Sequence, residues 1–382
     1  MFKYDLIVIG GGILGLSHAY HSLQKGLKVL LIEKNTQAMG ASILNFGQVV
    51  PSGFGVEWQK YGIASTQYYL DMATHADISV RKEGSIYIAS DEDEMTLIEE
   101  LHHINTANAY SSQLITAQQC KEKYPMLKDD YVKGALFFPD EINADSRKTI
   151  PDITQYLVSG LGMHIINGKR IVDIYETENE AIVFDTAGDK WVGGQVIICN
   201  GSEYQSLFPE EFPKADIQLV KLQMMETIPQ QATIPGSVLT GWTIRRYESF
   251  SECPSYSRIK AEENKTSFQN QLGIHILFKQ TASGSIILGD SHEYATIDEE
   301  HHLQLQDNNQ SINDFMVAEA KKIMDIDYTM ARTWAGCYSQ SKKEPIFHKK
   351  IDHRIHVVTA IGGKGMTASL GWAAQHINTI FS

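Results

Sequence analysis

The sequence has few cysteines and no closely spaced pair of them. Only four occur in 382 residues, namely Cys120, Cys199, Cys253 and Cys337. Zinc sites and redox dithiols usually contain two cysteines a few residues apart, and secreted disulfide scaffolds need a higher cysteine density. The pattern therefore favours a reducing compartment and argues against a disulfide scaffold or a zinc site.

The sequence also lacks long apolar runs and an excess of basic residues. No run approaches the roughly eighteen apolar residues that a membrane-spanning helix requires. The apolar stretch 6–16 is broken by glycines and lacks the cleavage pattern of a signal peptide. The formal net charge is −13, and such an acidic surface repels nucleic acid and anionic lipid. These absences predict a cytoplasmic protein with neither a nucleic-acid nor a membrane partner.

The first residues show the pattern of a βαβ unit. An apolar run at 6–9 is followed by a glycine cluster, a helical stretch to about Gln24, and a second apolar run at 27–32. Later apolar runs, which follow one another without intervening helices, favour an antiparallel sheet in a second layer. These runs cover residues 217–226, 237–247, 273–279 and 285–289.

The glycine cluster matches a dinucleotide-binding fingerprint. Gly10 allows a tight turn, Gly12 allows the backbone to approach a pyrophosphate, and Gly15 allows the helix to pack closely on the strand. The helix N-terminus supplies N–H donors, and Glu33 ends the second strand where a carboxylate accepts ribose hydroxyls. The strand, helix and carboxylate in register predict a bound dinucleotide rather than a glycine turn without a ligand. The predicted site also includes Ile13, Leu14 and Lys34.

Two further segments bear on which dinucleotide is bound. Residues 39–42 follow Glu33 closely, and a second glycine cluster, 362–367, lies between a strand and the last helix. Free N–H groups at that helix start would stabilise negative charge on a flavin as it is reduced. NAD enzymes do not need this return of the C-terminus. The pattern favours FAD, with an ordinary helix start as the alternative for the second cluster.

At this point the sequence resembles the D-amino-acid-oxidase superfamily of flavoproteins, which includes glycine and sarcosine oxidases. The segments that carry the resemblance are 10–33, 40–42, 196–201, 334–336 and 362–371. The resemblance implies an α/β (α+β) fold with a discontinuous Rossmann-like FAD-binding domain and a second, mainly antiparallel β substrate domain. The implied FAD-binding domain comprises residues 1–76, 141–213 and 329–382, and the substrate domain comprises 77–140 and 214–328.

The same resemblance implies non-covalent FAD and extends the set of residues that hold it. Val172 would lie at the adenine, and the residues after Gly40 would follow the ribityl chain and the ring. The additional FAD-binding residues are Ala41, Ser42, Asn45, Phe46, Gly47, Gln48, Val172, Asn200, Gly201, Gly336, Gly362, Gly363, Lys364, Gly365, Met366 and Thr367. Since some sarcosine-oxidase-like enzymes attach FAD through a cysteine in this neighbourhood, covalent attachment at Cys337 is an alternative.

A narrower resemblance concerns the substrate. Residues 41–47, 246–250, 253–255, 289–292 and 363–367 are similar to a branch of the superfamily associated with aminophosphonate catabolism. It implies hydride transfer to flavin N5 from a small amine related to 2-aminoethylphosphonate, with oxygen as the final acceptor. The alternatives are an amino-acid oxidase or dehydrogenase passing electrons to oxygen or quinone, a non-catalytic FAD-binding subunit, and an NAD-dependent dehydrogenase. The oligomeric state is left open.

The carboxylate clamps of better-known relatives are absent. Tyr338 occupies the position of the substrate-binding arginine in glycine-oxidase-like enzymes, and Thr367 that of a lysine in sarcosine-oxidase-like enzymes. Arg246 and Lys364 are the candidate ligands of a phosphonate, which favours several cationic donors. The neighbouring Arg245 is expected on the opposite face of a strand. A solvated surface position is the alternative for each cation.

Two further side chains complete the predicted substrate site. His292 is a candidate for contacting the substrate anion or for helping to deprotonate its ammonium group, with a structural role at a turn as the alternative. Tyr338 is a candidate pocket residue, as is Trp334, although aromatic side chains in strands are more often core. No metal site is expected.

Overall fold

The computed structural model describes residues 3–303, 305 and 307–382. The helices are α1 (Ile13–Gln24), α2 (Ala41–Leu44), α3 (Val56–Ala73), α4 (Glu92–Ala107), α5 (Ala117–Lys123), α6 (Ser146–Ser159), α7 (Gly241–Ile244), α8 (Tyr256–Glu262), α9 (Phe268–Gln271), α10 (Gln310–Ile323) and α11 (Gly365–Ile380). The strands are β1 (Lys3–Ile9), β2 (Val29–Glu33), β3 (Gln48–Val49), β4 (Val80–Arg81), β5 (Ser85–Ala89), β6 (Gln113–Thr116), β7 (Gly134–Phe138), β8 (Ile142–Ala144), β9 (His164–Asn167), β10 (Ile171–Glu176), β11 (Ala181–Asp185), β12 (Lys190–Ile198), β13 (Ile217–Pro229), β14 (Ser237–Leu239), β15 (Leu277–Gln280), β16 (Ser285–Gly289), β17 (Glu293–Thr296), β18 (Met330–Ser341), β19 (Phe347–Lys350) and β20 (Ile355–Thr359). Short 3-10 turns cover Pro51–Gly53, Pro209–Glu211, Glu248–Glu252, Ile297–Leu303 and Gly362–Lys364.

The apolar run at the start of the chain forms the centre of the first sheet. The strand order is β10-β11-β12-β1-β2-β9, and β20 joins through β12 and pairs with β19. β1 is parallel to both β2 and β12. Leu6 and Val8 pack with the helices α1, α3 and α11, whereas Ile7 and Ile9 belong to the cluster on the opposite face. A strand covered on both faces is continuously apolar, which is why residues 6–9 show no polar alternation.

The second sheet is mainly antiparallel and confirms the predicted second layer. Its order is β17-β13-β16-β15-β14-β5-β7-β6, and β18 pairs with β13. β15 and β16, which correspond to the predicted apolar runs 273–279 and 285–289, form a hairpin around residues 281–284. The third sheet is small, with the order β3-β8-β4. The fold is therefore the mixed α/β architecture expected from the sequence.

One predicted strand is wrong in its second half. The run 237–247 forms β14 only as far as Leu239 and then turns into α7. The Thr240 hydroxyl donates to the Ile276 carbonyl at 2.8 Å, and the Thr243 N–H donates to the Thr240 carbonyl at 2.8 Å. These contacts end the strand and start a helical turn, so Arg245 and the residue after it follow a helix rather than lie in a strand.

The strands of each sheet can be compared with the predicted domain ranges. Every strand within residues 77–140 except β4 belongs to the second sheet, as do β13 to β17 within 214–328. β18 lies in the segment 329–382 that was assigned to FAD binding, yet it pairs along its length with β13. The domain boundaries remain a prediction. In the described part of the chain, no helix combines the length and the apolar composition needed to span a bilayer.

A fully buried carboxylate joins the second sheet to the segment around the first 3-10 turn. Glu141 accepts hydrogen bonds from the Ser52 N–H at 2.7 Å, from the Tyr110 hydroxyl at 2.8 Å and from the Ser85 hydroxyl. Burial raises the pKa of Glu141 from 4.5 to about 6, although these hydrogen bonds oppose the shift. The folded state therefore holds this proton more tightly than the unfolded chain does.

We expect this carboxylate to make stability depend on pH. Its contribution is complete below pH 4.5 and is lost as the pH rises through about 6, because the folded pKa is the higher one. The loss amounts to about 2 kcal/mol. In urea unfolding, the free energy of unfolding of Glu141→Gln relative to that of wild type should increase by this amount between pH 4.5 and pH 7. The exposed Glu57 provides the control, since Glu57→Gln should run parallel to wild type. Equal pH slopes for Glu141→Gln and wild type would contradict the prediction.

Candidate active site

A cavity of about 910 Å³ lies where the two large sheets meet, which is near the upper end of ligand-pocket volumes of roughly 300–1,000 Å³. It is lined by the turn between β1 and α1, by α2 and the residues after it, and by the start of α11. Among the residues predicted to bind FAD, all except Gly15 and Val172 line it. The four substrate candidates Arg246, His292, Tyr338 and Lys364 line it as well. The fold thus brings two distant glycine clusters to one cavity.

Two glycines of the turn after β1 cannot be replaced without a steric clash. Gly10 has a φ of +108°, and a Cβ at this residue would overlap the carbonyl oxygen of Cys199. A Cβ at Gly15 would overlap the Gly10 carbonyl oxygen. Gly15 therefore lies behind the cavity wall and lets α1 approach the sheet, which explains why it does not line the cavity.

Gly12 has a different role, because its backbone is ordinary. It is the N-cap residue of α1 with φ −75° and ψ 178°, and no side chain of its own caps the helix. By contrast, α4 is capped by Asp91, which accepts a hydrogen bond from the Glu94 N–H. A Cβ at Gly12 would point to Ser42 Oγ at 3.0 Å. The Ile13 N–H donates to Ser42 Oγ at 2.9 Å, and Gly12 and Leu14 line the cavity beside it, an arrangement that fits a pyrophosphate.

Glu33 is held in place by backbone donors. One carboxylate oxygen accepts a hydrogen bond from the Gly11 N–H at 2.8 Å, and the other accepts from the Asn35 N–H at 2.9 Å. The side chain is only 7% exposed but lines the cavity. A fixed carboxylate at the end of β2 fits the ribose diol of an adenosine. No sequence pattern predicted that the backbone of Gly11 and Asn35 holds the Glu33 carboxylate.

The structure does not place Val172 in the cavity. Val172 is 38% exposed, whereas its neighbour Ile171 is 3% exposed and lines the cavity. Successive side chains of a strand point to opposite faces, so a prediction that is off by one residue names a side chain on the wrong face. The pairing of β10 with β11 is also irregular between Ile171 and Asp173, and no sequence pattern indicates such an irregularity.

The start of α11 forms the opposite end of the cavity. Lys364 is its N-cap residue, and no side chain caps the helix. Thr367 in the first turn accepts a hydrogen bond from the Val50 N–H at 3.2 Å, which joins the helix to the segment after β3. The N–H groups of this turn and the positive end of the helix dipole fit the negative charge of a reduced flavin. Both glycine clusters therefore suit the two ends of one dinucleotide.

Two adjacent arginines have different environments. Arg245 is bound to Glu94 at 2.9 Å and to Asp91 at 2.6 Å. Arg246 lines the cavity, and its Nη2 donates to the Tyr294 hydroxyl at 2.9 Å. Within the described residues, Arg246 forms no ion pair with a carboxylate, although its charge contributes to lowering the pKa of Asp290. Arg246 lines the cavity and Arg245 does not, but the reason differs from the predicted alternation along a strand, because both residues follow α7.

Lys364 is less free than Arg246. Its Nζ lies 3.9 Å from Glu248 Oε2, and both side chains line the cavity. Its side chain is about one-fifth exposed and that of Glu248 about half exposed. Because such pairs contribute little in water, a bound anion can compete with Glu248 for Lys364. The cavity can therefore offer Lys364 to an anion as a second cation.

His292 belongs to a buried group of polar residues that the sequence only partly revealed. His275 Nε2 lies 2.6 Å from Asp290 Oδ1, and both residues line the cavity with His292. Although burial alone would raise it, the neighbouring His275 and His292 lower the pKa of Asp290. The two-residue spacing of Asp290 and His292 and the hairpin around 281–284 are the signals by which His275 could have been found, because the hairpin places it opposite Asp290.

The protonation of His292 decides between its two predicted roles. Burial and, next, Arg246 lower its pKa to about 3, so the imidazole is neutral near pH 7. Nδ1 lies 3.1 Å from the Gly273 carbonyl oxygen, which can only accept a hydrogen bond. Nδ1 therefore carries the proton and Nε2 is an acceptor. This arrangement suits contact with an amine N–H and does not suit contact with an anion.

Three residues of β18 separate into different environments. Tyr338 lines the cavity near Gly363, and burial raises the pKa of its phenol. Trp334 instead donates its indole N–H to the Leu44 carbonyl at 3.1 Å and does not line the cavity. Cys337 lines the cavity, but burial raises the pKa of its thiol to about 11, so the thiolate needed for covalent attachment is disfavoured.

Comparisons with known proteins identify a family for this chain. The family model described as FAD dependent oxidoreductase matches residues 5–377. One of the subunits of the opine oxidase of Rhizobium meliloti is 22% identical over 248 residues, covering 62% of this chain and 66% of the relative. The glycine oxidase of Geobacillus kaustophilus is 23% identical over 212 residues, covering 52% of this chain and 55% of the relative. The alignments thus span about half to two thirds of these relatives.

The solved structure of the glycine oxidase from Geobacillus kaustophilus has the same fold. It matches with a TM-score of 0.76 and 15% sequence identity, covering 100% of this chain and 95% of the other. At this identity the match concerns the fold. The family model covers nearly the whole chain, and the cavity is lined by the starts of α1 and α11 and by the fixed carboxylate of Glu33. The chain therefore belongs to the FAD dependent oxidoreductase family, with FAD rather than NAD as its cofactor.

Proposed function

We propose that this protein oxidises a small primary or secondary amine that carries an anionic group, and that the anion is the phosphonate of a 2-aminoethylphosphonate relative. The observation that carries the proposal is Arg246, a half-buried cation that lines the cavity and forms no direct ion pair with a carboxylate among the described residues, although Asp290 in the same cavity feels its charge. A partly buried charge without a directly bound partner is unfavourable. A substrate anion would relieve this cost.

The donors around Arg246 favour a phosphonate over a carboxylate. A guanidinium has five N–H donors. Among the described residues, Arg246 makes one hydrogen bond, to the Tyr294 hydroxyl. Lys364 at the start of α11 adds a second cation. A group with three oxygens uses more of these donors than a carboxylate does. Tyr338 and Thr367 stand where glycine and sarcosine oxidases are expected to clamp a carboxylate, which also supports the proposal.

The remaining residues of the cavity suit the amine. His292 Nε2 accepts a hydrogen bond from an amine N–H, which orients the nitrogen lone pair and leaves the adjacent C–H free. The Asp290 carboxylate lies next to it and favours a cationic or polar nitrogen over a second anion. When bound, FAD supplies the acceptor for a hydride from the carbon next to the amine nitrogen, and oxygen then takes up the electrons.

The experiment is anaerobic bleaching of the flavin absorbance by a panel of amines. The panel contains glycine, sarcosine, D-alanine, 2-aminoethylphosphonate, and its N-methyl and 1-hydroxy derivatives. We expect rapid bleaching by at least one phosphonate and slow or no bleaching by the carboxylates, followed by formation of peroxide when air is admitted. Bleaching by amino acids alone would refute the phosphonate, and a yellow protein that no amine bleaches would favour a non-catalytic FAD-binding subunit.

A second candidate is an amino-acid oxidase or dehydrogenase. It is favoured by the similarity to glycine oxidase in both sequence and fold. In that case Arg246 would hold the substrate carboxylate, and glycine or D-alanine would bleach the flavin at least as fast as the phosphonates. A requirement for quinone rather than oxygen in reoxidation would assign the dehydrogenase form.

A further inference from the structure

Three histidines that are distant in sequence converge away from the cavity. His348 lies on β19, His356 on β20 and His376 near the end of α11, and one ring nitrogen of each lies within 4.8 Å of the others. None of the three lines the cavity. His348 Nε2 and His356 Nδ1 are 3.5 Å apart. Bond lengths of about 2.0–2.1 Å around a tetrahedral zinc ion place ligand nitrogens about 3.3 Å apart, so this pair already has nearly the required spacing.

A hydrogen-bond chain assigns the tautomer of His376, which is as buried as His356. His18 Nδ1 lies 2.7 Å from the Leu14 carbonyl oxygen, so this nitrogen carries the proton. In the neutral ring its Nε2 is therefore an acceptor, and it lies 2.9 Å from His376 Nδ1. His376 Nδ1 consequently donates, and the lone pair of His376 is on Nε2.

His376 Nε2 is a buried acceptor without a partner. The side chain is 6% exposed, and Nε2 has no hydrogen bond within the described residues. An unsatisfied buried polar atom costs about 1–3 kcal/mol and calls for a missing partner. A metal ion is such a partner, because metals bind the lone pair of an imidazole nitrogen.

The surroundings give the cluster both support and access. A metal-ligating histidine usually donates its other ring N–H to a fixed acceptor, and His18 provides that acceptor for His376. His348 is exposed to solvent, so an ion can enter and a water can occupy the fourth position. Imidazole ligands without thiolate or carboxylate suit Zn²⁺, Co²⁺, Ni²⁺ and Cu²⁺ rather than Ca²⁺ or Mg²⁺.

We propose that His348, His356 and His376 form a binding site for a divalent transition-metal ion of the Zn²⁺ class. The ion joins the end of α11 to the hairpin of β19 and β20, and α11 begins at the cavity. Its role is to stabilise this connection, since the site lies outside the cavity. The proposal is independent of the amine substrate.

The test is a titration of the chelator-treated, flavin-loaded protein with Co²⁺, followed by displacement with Zn²⁺. We expect one Co²⁺ per chain, a visible d–d absorption band and a rise in melting temperature of about 2 °C or more. His348→Gln should lose all three, and because this residue is exposed the variant should still fold. His103→Gln on the exposed face of α4 is the matched control and should behave as wild type.

A second cluster that contains histidines is a competing site for the metal ion. His275, Asp290 and His292 also bring ligand atoms within 4.8 Å of one another, but inside the cavity. If His292→Gln abolished the Co²⁺ band and His348→Gln did not, the ion would occupy the cavity and the proposal would be overturned. Binding of less than one Co²⁺ per chain, or binding unchanged by His348→Gln, would overturn it as well. His18→Gln is expected to weaken Co²⁺ binding about 10- to 100-fold.

Discussion

Replacing Arg246 by methionine is expected to lower kcat/KM for the amine substrate about 100-fold and to leave the flavin content unchanged. The reason is that the guanidinium supplies the charged donors for the substrate anion, and the loss of such contacts costs about 3 kcal/mol. Methionine preserves most of the apolar side-chain length. The measurement is the rate of anaerobic flavin reduction as a function of substrate concentration, which separates binding from chemistry.

The adjacent arginine is the matched control. Arg245 is bound to Glu94 and Asp91 and does not line the cavity. Arg245→Met leaves Glu94 buried without its partner, so the variant should lose stability while kcat/KM changes less than about twofold. If Arg246→Met kept full kcat/KM and Lys364→Met lost it, the anion would bind at the start of α11, and the role assigned to Arg246 would be wrong.

The variant Gly12→Val is expected to purify without colour, because its affinity for FAD should fall by at least about 100-fold. The backbone at Gly12 has φ −75°, which valine adopts without strain. The added side chain, however, fills the space between the start of α1 and Ser42, where the Cβ itself lies 3.0 Å from Ser42 Oγ. It would exclude a pyrophosphate from the N–H donors of α1. The ratio of flavin to protein absorbance measures the effect.

A glycine at the other end of α1 separates loss of FAD from loss of the fold. Gly26 has a φ of +77° and is exposed, and a Cβ added to it would meet no atom within 4 Å. Gly26→Asn, which tolerates that backbone conformation, should retain full flavin content. Both variants should show wild-type far-UV circular dichroism. A yellow Gly12→Val protein with a wild-type FAD affinity would contradict the placement of the pyrophosphate at this helix.

The sequence by itself determined those features that depend on residues close together in the chain. The spacing of Gly10, Gly12 and Gly15 after an apolar strand predicted the turn, the helix and the dinucleotide site, because this short segment combines all the parts of the fingerprint. The continuous apolar run of β1 predicted a strand covered on both faces. The FAD cofactor and the mixed α/β fold followed from these local patterns together with the second glycine cluster, and both are confirmed.

The tertiary structure alone decided which side chains meet in space. Arg246 rather than Arg245 reaches the cavity because a helical turn after β14 and the carboxylates of α4 separate the two. Ile171 rather than Val172 lines the cavity because the register of one strand decides which face a residue takes. His348, His356 and His376 converge because α11 packs beside a hairpin of the first sheet. Such contacts depend on strand register and helix packing, which join residues that no local spacing connects.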